Sequence, residues 1–191
     1  MSQNTNSSVT GSESKKKGIH GFKIVSEATA GKETEKVPVN SVPIDETPAD
    51  VGFQKPKRKV SKVFIHCSDS DIDTHDNIAT IREWHLARGF NDVGYHYFIR
   101  KTGKIENGRS LELIPAAQVG CNAGSIAICV SGSKEYTEQS MEALKSLCKS
   151  INKAYNGNIT FHGHCEVSNK TCPVFDYKTV LGIVDGKLGS E

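Results

Sequence analysis

Apolar positions do not begin to recur in this chain until residue 60. Residues 1–58 are rich in Ser, Lys, Glu, Thr and Gly, carry Pro38, Pro43, Pro48 and Pro56, and sustain no apolar period. Such a segment buries too little apolar surface to offset its ordering entropy, which predicts a flexible N-terminal arm. Gly21-Phe22-Lys23-Ile24-Val25 is its one short apolar exception, a segment suited to docking on the domain or on a partner. Residues 60–66 alternate and then run apolar, as an interior strand does. Residues 68–77 are polar and acidic, a loop. Asp76 is placed to cap a helix over 77–88, in which Ile78, Ile81, Trp84, His85 and Arg88 recur at helical spacing and after which Gly89 closes the element.

Residues 93–100 are aromatic and β-branched and run through Lys101-Thr102-Gly103-Lys104 into Ile105-Glu106-Asn107, the pattern of a hairpin with a glycine-containing turn. Residues 125–132 form another buried strand by composition, entered through the irregular loop Gly120-Cys121-Asn122-Ala123-Gly124. Thr137 is placed to cap a long helix to residue 155 with Met141, Leu144, Leu147, Cys148 and Ile151 on one face. Asn156-Gly157-Asn158 stops it, 159–164 is a last strand, and Asp176 caps a final helix over 177–184. Strands and helices alternating in this way predict an α/β fold: one domain over 59–191, with helices covering a largely buried central sheet, preceded by the arm of 1–58.

Length and charge narrow the function classes. A chain of 191 residues suits one domain with room for a tail. The net charge of +2 is too small to point to nucleic acid. Residues 1–60 hold 10 Lys and Arg against 7 Asp and Glu; the totals of 24 and 22 leave 14 against 15 for the remainder, so the positive excess lies in the arm. The runs Lys15-Lys16-Lys17 and Lys55-Pro56-Lys57-Arg58-Lys59 read as solvated, and the arm offers a surface for a protein partner. Residues 1–10 lack the apolar core of an export signal, and no apolar run is long enough to span a bilayer. These features predict a monomer made in a reducing cytoplasm, its six cysteines mostly free thiols.

The chemistry concentrates in His162-Gly163-His164-Cys165-Glu166-Val167-Ser168-Asn169-Lys170-Thr171-Cys172-Pro173. Imidazole and thiolate are preferred zinc ligands, and a catalytic zinc needs three protein ligands with a fourth position open. His164 and Cys172 are too far apart for one helical face, so a loop must bring them together. Pro173 restricts the residue before it, which predicts an extended Cys172. His66, closing the apolar run Val63-Phe64-Ile65, is the candidate third ligand. Singly, each of the three is an ordinary residue; jointly they describe a His/His/Cys site suited to hydrolysis, since zinc lowers the pKa of bound water and polarises a carbonyl. Lys170 can place an ammonium beside a developing oxyanion, and a tyrosine hydroxyl can donate there. Tyr95, following Gly94, is the candidate, although strand alternation puts Tyr97 on the same face.

Phe64-Ile65-His66-Cys67-Ser68, Ile81-Arg82-Glu83-Trp84-His85, Asp92-Val93-Gly94-Tyr95-His96-Tyr97 and the segment 164–173 together resemble the type 2 N-acetylmuramoyl-L-alanine amidases, which include the zinc amidases of short-tailed phages and the peptidoglycan recognition proteins. The resemblance covers about residues 60–184 and leaves out the arm. It implies a mixed sheet with helices on its faces, zinc on His66, His164 and Cys172, catalytic help from Tyr95 and Lys170, and bacterial peptidoglycan as substrate. The bond cleaved would join muramic acid to L-alanine of the stem peptide. It further implies a phage endolysin reaching the wall through a membrane lesion, or a virion-borne lysin. The alternative is a non-catalytic peptidoglycan-binding protein or a regulator of RNA polymerase; receptor forms commonly lose the cysteine ligand, and this chain keeps all three. A structural zinc domain would need a fourth ligand from Cys67 or Cys165, which alternation turns away. One departure stands out: the family usually carries a histidine near the position of Ala117, whereas Asn122 is kept.

Overall fold

The structure, a computed structural model, describes residues 23–25 and 52–189. Its centre is a five-stranded sheet in the order β4-β3-β5-β2-β7, built from β2 (Lys62–Cys67), β3 (Tyr97–Ile99), β4 (Ile105–Asn107), β5 (Ser125–Val130) and β7 (Thr160–Gly163). β2 lies parallel to both β5 and β7, β3 is parallel to β5, and β4 is antiparallel to β3, so the sheet is mixed. Every residue of β5 is buried, which is why its sequence runs apolar rather than alternating.

Side-chain alternation divides the core. Val63, Ile65 and Cys67 of β2 face one side, with Ile126, Ile128 and Val130 of β5. That side is covered by α2 (Glu138–Ala154) through Met141, Leu144, Leu147, Cys148 and Ile151, and by α3 (Tyr177–Leu181) through Tyr177 and Leu181. The opposite side carries Phe98 and Cys129, covered by Ile81 of α1 (Ile78–Ala87). Phe64 and His66 are the β2 residues out of step with the α2 set, so the histidine belongs to the α1 side.

Several expected boundaries move. Asn77, not Asp76, caps α1, its side chain accepting from the Thr80 N–H at 2.8 Å. Asp76 is engaged elsewhere: it accepts from the Lys101 N–H and pairs with Arg100. The segment 93–100 is strand only at Tyr97–Ile99, because backbone groups just before it pair outside the sheet: Gly94 C=O accepts from Ala116 N–H and Tyr95 C=O from Arg109 N–H. The last strand stops at Gly163. His164–Glu166 turns as a short 3₁₀ helix, drawn round by Cys165 N–H donating to the Cys172 carbonyl. The final helix ends at Leu181 with Gly182 in the left-handed region, and Ile183–Val184 pairs with Lys187–Leu188 as a small hairpin, β8 and β9.

The expected arm lies outside the described residues except at two places. Lys23–Val25 (β1) pairs in parallel with β6 (Glu135–Thr137), the strand leading into α2, so the docking segment seats on the domain. Residues 53–58 also meet the domain: the Phe53 ring lies 6.2 Å from that of Tyr155, Pro56 is buried, and Arg58 donates to the Leu111 and Ser125 carbonyls. All six cysteines are unpaired. Among the described residues no helix is long and apolar enough to cross a membrane.

Candidate metal centre and catalytic groove

The C-terminal ends of β2 and β7 meet at the floor of an open groove of about 1160 Å³. Ligand sites in open α/β sheets favour this end of the strands. Strand register does the first part of the assembly: Ile65 of β2 pairs with Gly163, the last residue of β7, so His66 on its strand and His164 at the start of the following 3₁₀ turn stand level, their rings 4.6 Å apart. The loop 167–171 then returns Cys172, held by the Cys165–Cys172 backbone bond and by the Cys67 N–H, which donates to Cys172 Sγ at 3.3 Å. Gly163 permits the return, because a Cβ there would meet the Tyr177 ring and Pro173.

Donor atoms of His66, His164 and Cys172 lie within 4.8 Å of one another, and among the described residues no further His, Cys, Asp or Glu joins the group. His66 is buried and turns Nδ1 toward Cys172 Sγ at 3.8 Å. Its other ring nitrogen, Nε2, meets Gln118 Oε1 at 3.0 Å. Burial, with His164 beside it, lowers His66 to about 3, and His164 is lowered by burial and by Lys170. Both rings are therefore neutral near pH 7, the state that ligation requires. The neighbouring Cys67 thiol and burial hold the Cys172 thiol protonated, while the Cys67 N–H opposes them; a divalent cation at this point would reverse that balance and take the thiolate. The donor set and its spacing thus fit one borderline-soft metal ion with an open position.

Tyr95 and Tyr97, which alternation left together, part company here. Tyr97 is buried in the α2-side core, whereas Tyr95 lines the groove with its ring 5.1 Å from that of His66. Burial raises the Tyr95 hydroxyl well above the usual phenol range, so it stays a donor. His85 and Gly94 hold it there: the Gly94 N–H donates to His85 Nδ1 at 2.8 Å. Lys170 is exposed on the loop between the two ligands and lines the same groove. Ala117 also lies in the wall, so the position without the expected histidine does face the site. Asn122 shapes that wall by accepting from the N–H groups of both Ala117 and Gln118.

The profile of the N-acetylmuramoyl-L-alanine amidase family matches residues 56–175, a span containing every residue of this cluster. The chain belongs to that family. Among its relatives the amidase is 33% identical over 138 residues to the endolysin of Klebsiella phage KP32, covering 68% of this chain and 90% of the relative. Its fold matches the endolysin amidase LysCS of Clostridium intestinale URNW with a TM-score of 0.58 at 27% identity, over 65% of this chain and 83% of that one. It also matches the Drosophila protein PGRP-LB with a TM-score of 0.55 at 26% identity, over 66% and 83%. The β4-β3-β5-β2-β7 sheet is therefore the type 2 amidase fold that the sequence motifs resemble.

Sequence reasoning overlooked Gln118. It sits in Pro115-Ala116-Ala117-Gln118-Val119, where no periodicity marks it, and only its complete burial beside His66 distinguishes it.

Proposed function

We propose that this amidase is a zinc-dependent peptidoglycan hydrolase of the phage endolysin type, cleaving the amide between N-acetylmuramic acid and L-alanine of the stem peptide. The observation that carries the reading is the convergence of buried His66 with His164 and Cys172, which line the groove about a hundred residues further on, inside the span that matches the family. These three residues would hold the zinc, which when bound supplies an activated water and Lewis-acid polarisation of the scissile carbonyl.

The chain's own groups do the rest. Tyr95, protonated and facing the cluster, donates to the carbonyl oxygen as charge builds on it. Lys170 brings a positive charge to the same groove, where it stabilises that oxyanion. Trp84, Phe90 and Val119 give the groove apolar surface, and Asn122 a polar edge, a combination suited to a glycan with an attached peptide. The protein would act from the cytoplasm on the wall after the membrane is breached, as the phage relatives named endolysins suggest.

The test is zinc per chain together with release of free stem peptide from purified peptidoglycan, with and without a chelator. Chelator-sensitive release with one zinc per chain is expected. Metal-independent release, or zinc without release across several wall chemotypes, would overturn the reading.

A further inference from the structure

Gln118 is fully buried and connects three groups in a line. Its Oε1 lies 3.0 Å from His66 Nε2, its Nε2 lies 2.6 Å from Ser125 Oγ, and Ser125 Oγ lies 2.8 Å from the Asn122 carbonyl oxygen. The last contact fixes the direction of the others. A carbonyl oxygen only accepts, so the single hydroxyl proton of Ser125 is committed to Asn122. Toward Gln118 the Ser125 oxygen can then only accept, which requires the amide NH₂ on that side. The amide oxygen therefore faces His66, and His66 Nε2 must carry the ring proton.

We infer that the Asn122–Ser125–Gln118 relay sets the tautomer of His66, so that Gln118 is a positioning residue for metal capture, acting through the ring rather than touching the metal. A neutral imidazole has one N–H and one lone pair. With the proton on Nε2, the lone pair lies on Nδ1, the nitrogen that faces Cys172 Sγ at 3.8 Å. The other tautomer would aim an N–H at the donor cluster and block it. Groups that fix a ligand histidine's tautomer are typically worth about tenfold to a hundredfold in metal affinity. The relay is anchored independently of the ring: the Asn122 side chain accepts from the Gln118 N–H at 2.9 Å, and Ser125 opens the buried strand β5. Loop and strand thus hold Gln118 from behind.

This inference rests on the reading of His66 as a ligand, and the experiment separates the two. The full chain, labelled with ¹⁵N-histidine, is stripped of metal and its ring nitrogens are assigned by long-range proton–nitrogen correlation; zinc affinity is then measured by competition with a chromophoric chelator. In the metal-free wild type His66 should be in the Nε2–H form. Gln118→Met, which keeps volume and removes the acceptor, should shift His66 toward a mixture and weaken zinc by about tenfold to a hundredfold. Gln118→Glu should restore both, because a carboxylate accepts from Nε2–H and also from a reoriented Ser125 hydroxyl. An Nδ1–H ring in the metal-free wild type overturns the inference without any variant. Unchanged tautomer and zinc affinity in a folded Gln118→Met overturn it as well. Loss of zinc affinity in Gln118→Glu equal to that in Gln118→Met would show that packing, not tautomer, was at stake. A wild type with the Nε2–H ring whose zinc affinity is indifferent to His66→Ala would instead sink the metal assignment while leaving the tautomer finding in place.

Discussion

The Gly94 N–H donates to His85 Nδ1 at 2.8 Å, tying the last turn of α1 to the backbone one residue before Tyr95. The His85 ring stands 5.3 Å from the Tyr95 ring, which in turn stands 5.1 Å from His66. One hydrogen bond thus sets where the tyrosine enters the groove, and position 94 has no space to spare. A Cβ there would press on the Ala116 carbonyl and approach His85 Cε1 at 3.3 Å.

Gly94→Ala should therefore destabilise the fold by about 1–3 kcal/mol, the usual range for overpacking. Because the strain falls on Tyr95 and not on the ligand strands, zinc binding should survive where the variant folds while turnover drops. Urea denaturation, zinc stoichiometry and stem-peptide release separate these effects. A variant of wild-type stability and rate would show that the 94–116 contact relaxes at no cost.

Cys172→Ser should lose zinc, since a hydroxyl is a far poorer ligand than a thiolate and only two imidazoles would remain. Equilibrium dialysis followed by metal analysis reads this directly. Retained stoichiometric zinc at wild-type affinity would exclude the thiolate as a ligand.

Lys170→Ala and Tyr95→Phe should both keep zinc and lose turnover, each by about a hundredfold or more if it contributes like a donor to an oxyanion. Their loss should fall on kcat rather than KM, as an interaction made in the transition state requires. Either variant at full rate would remove that residue from the chemistry.

Acid should weaken the fold through His96. The ring is buried, Nδ1 accepts from the Ala127 N–H at 3.0 Å, and Nε2 meets the Leu113 carbonyl at 3.0 Å. Burial lowers it to about 4, with the Leu113 carbonyl opposing and Arg58 and Arg109 adding. A folded value below the unfolded value of about 6.5 means protonation favours the unfolded chain. Its contribution is complete above about pH 6.5 and is lost as the pH falls toward about 4, to a limit of about 3 kcal/mol. His85, also lowered to about 4, by burial and then Arg88, acts in the same sense. The His96 ring resonances should titrate with a midpoint near 4, and the urea unfolding free energy should fall across that window; an ordinary midpoint near 6.5 would contradict this.

Much of the fold was legible because local and global signals agree. Thr137 caps α2, its side chain accepting from the Ser140 N–H, and the five apolar positions expected on that helix are all buried. Asp176 caps α3 in the same way, accepting from the Thr179 N–H. Where the reading slipped, a distant partner outbid a local one. Asp76 had the chemistry of a cap, but the Lys101 N–H and Arg100 claim its carboxylate and leave the cap to Asn77. The pairing of β1 with β6 could not be read locally either, since a three-residue strand has no identity without its neighbour.

The order of residue types along the chain determined the alternation of strands and helices, the apolar faces, and the presence of imidazole, thiol, phenol and ammonium groups in the motifs of the amidase family. These follow from short-range periodicity and from covalent identity. Tertiary structure alone decided which of them meet. It placed His66 level with His164 through the pairing of Ile65 with Gly163, sent Tyr95 to the groove and Tyr97 to the core, and brought Gln118 behind the His66 ring. The physical reason is that register and packing are properties of pairs distant in sequence, such as His66 and Gln118, whose contact depends on how β2 and the loop before β5 lie against each other.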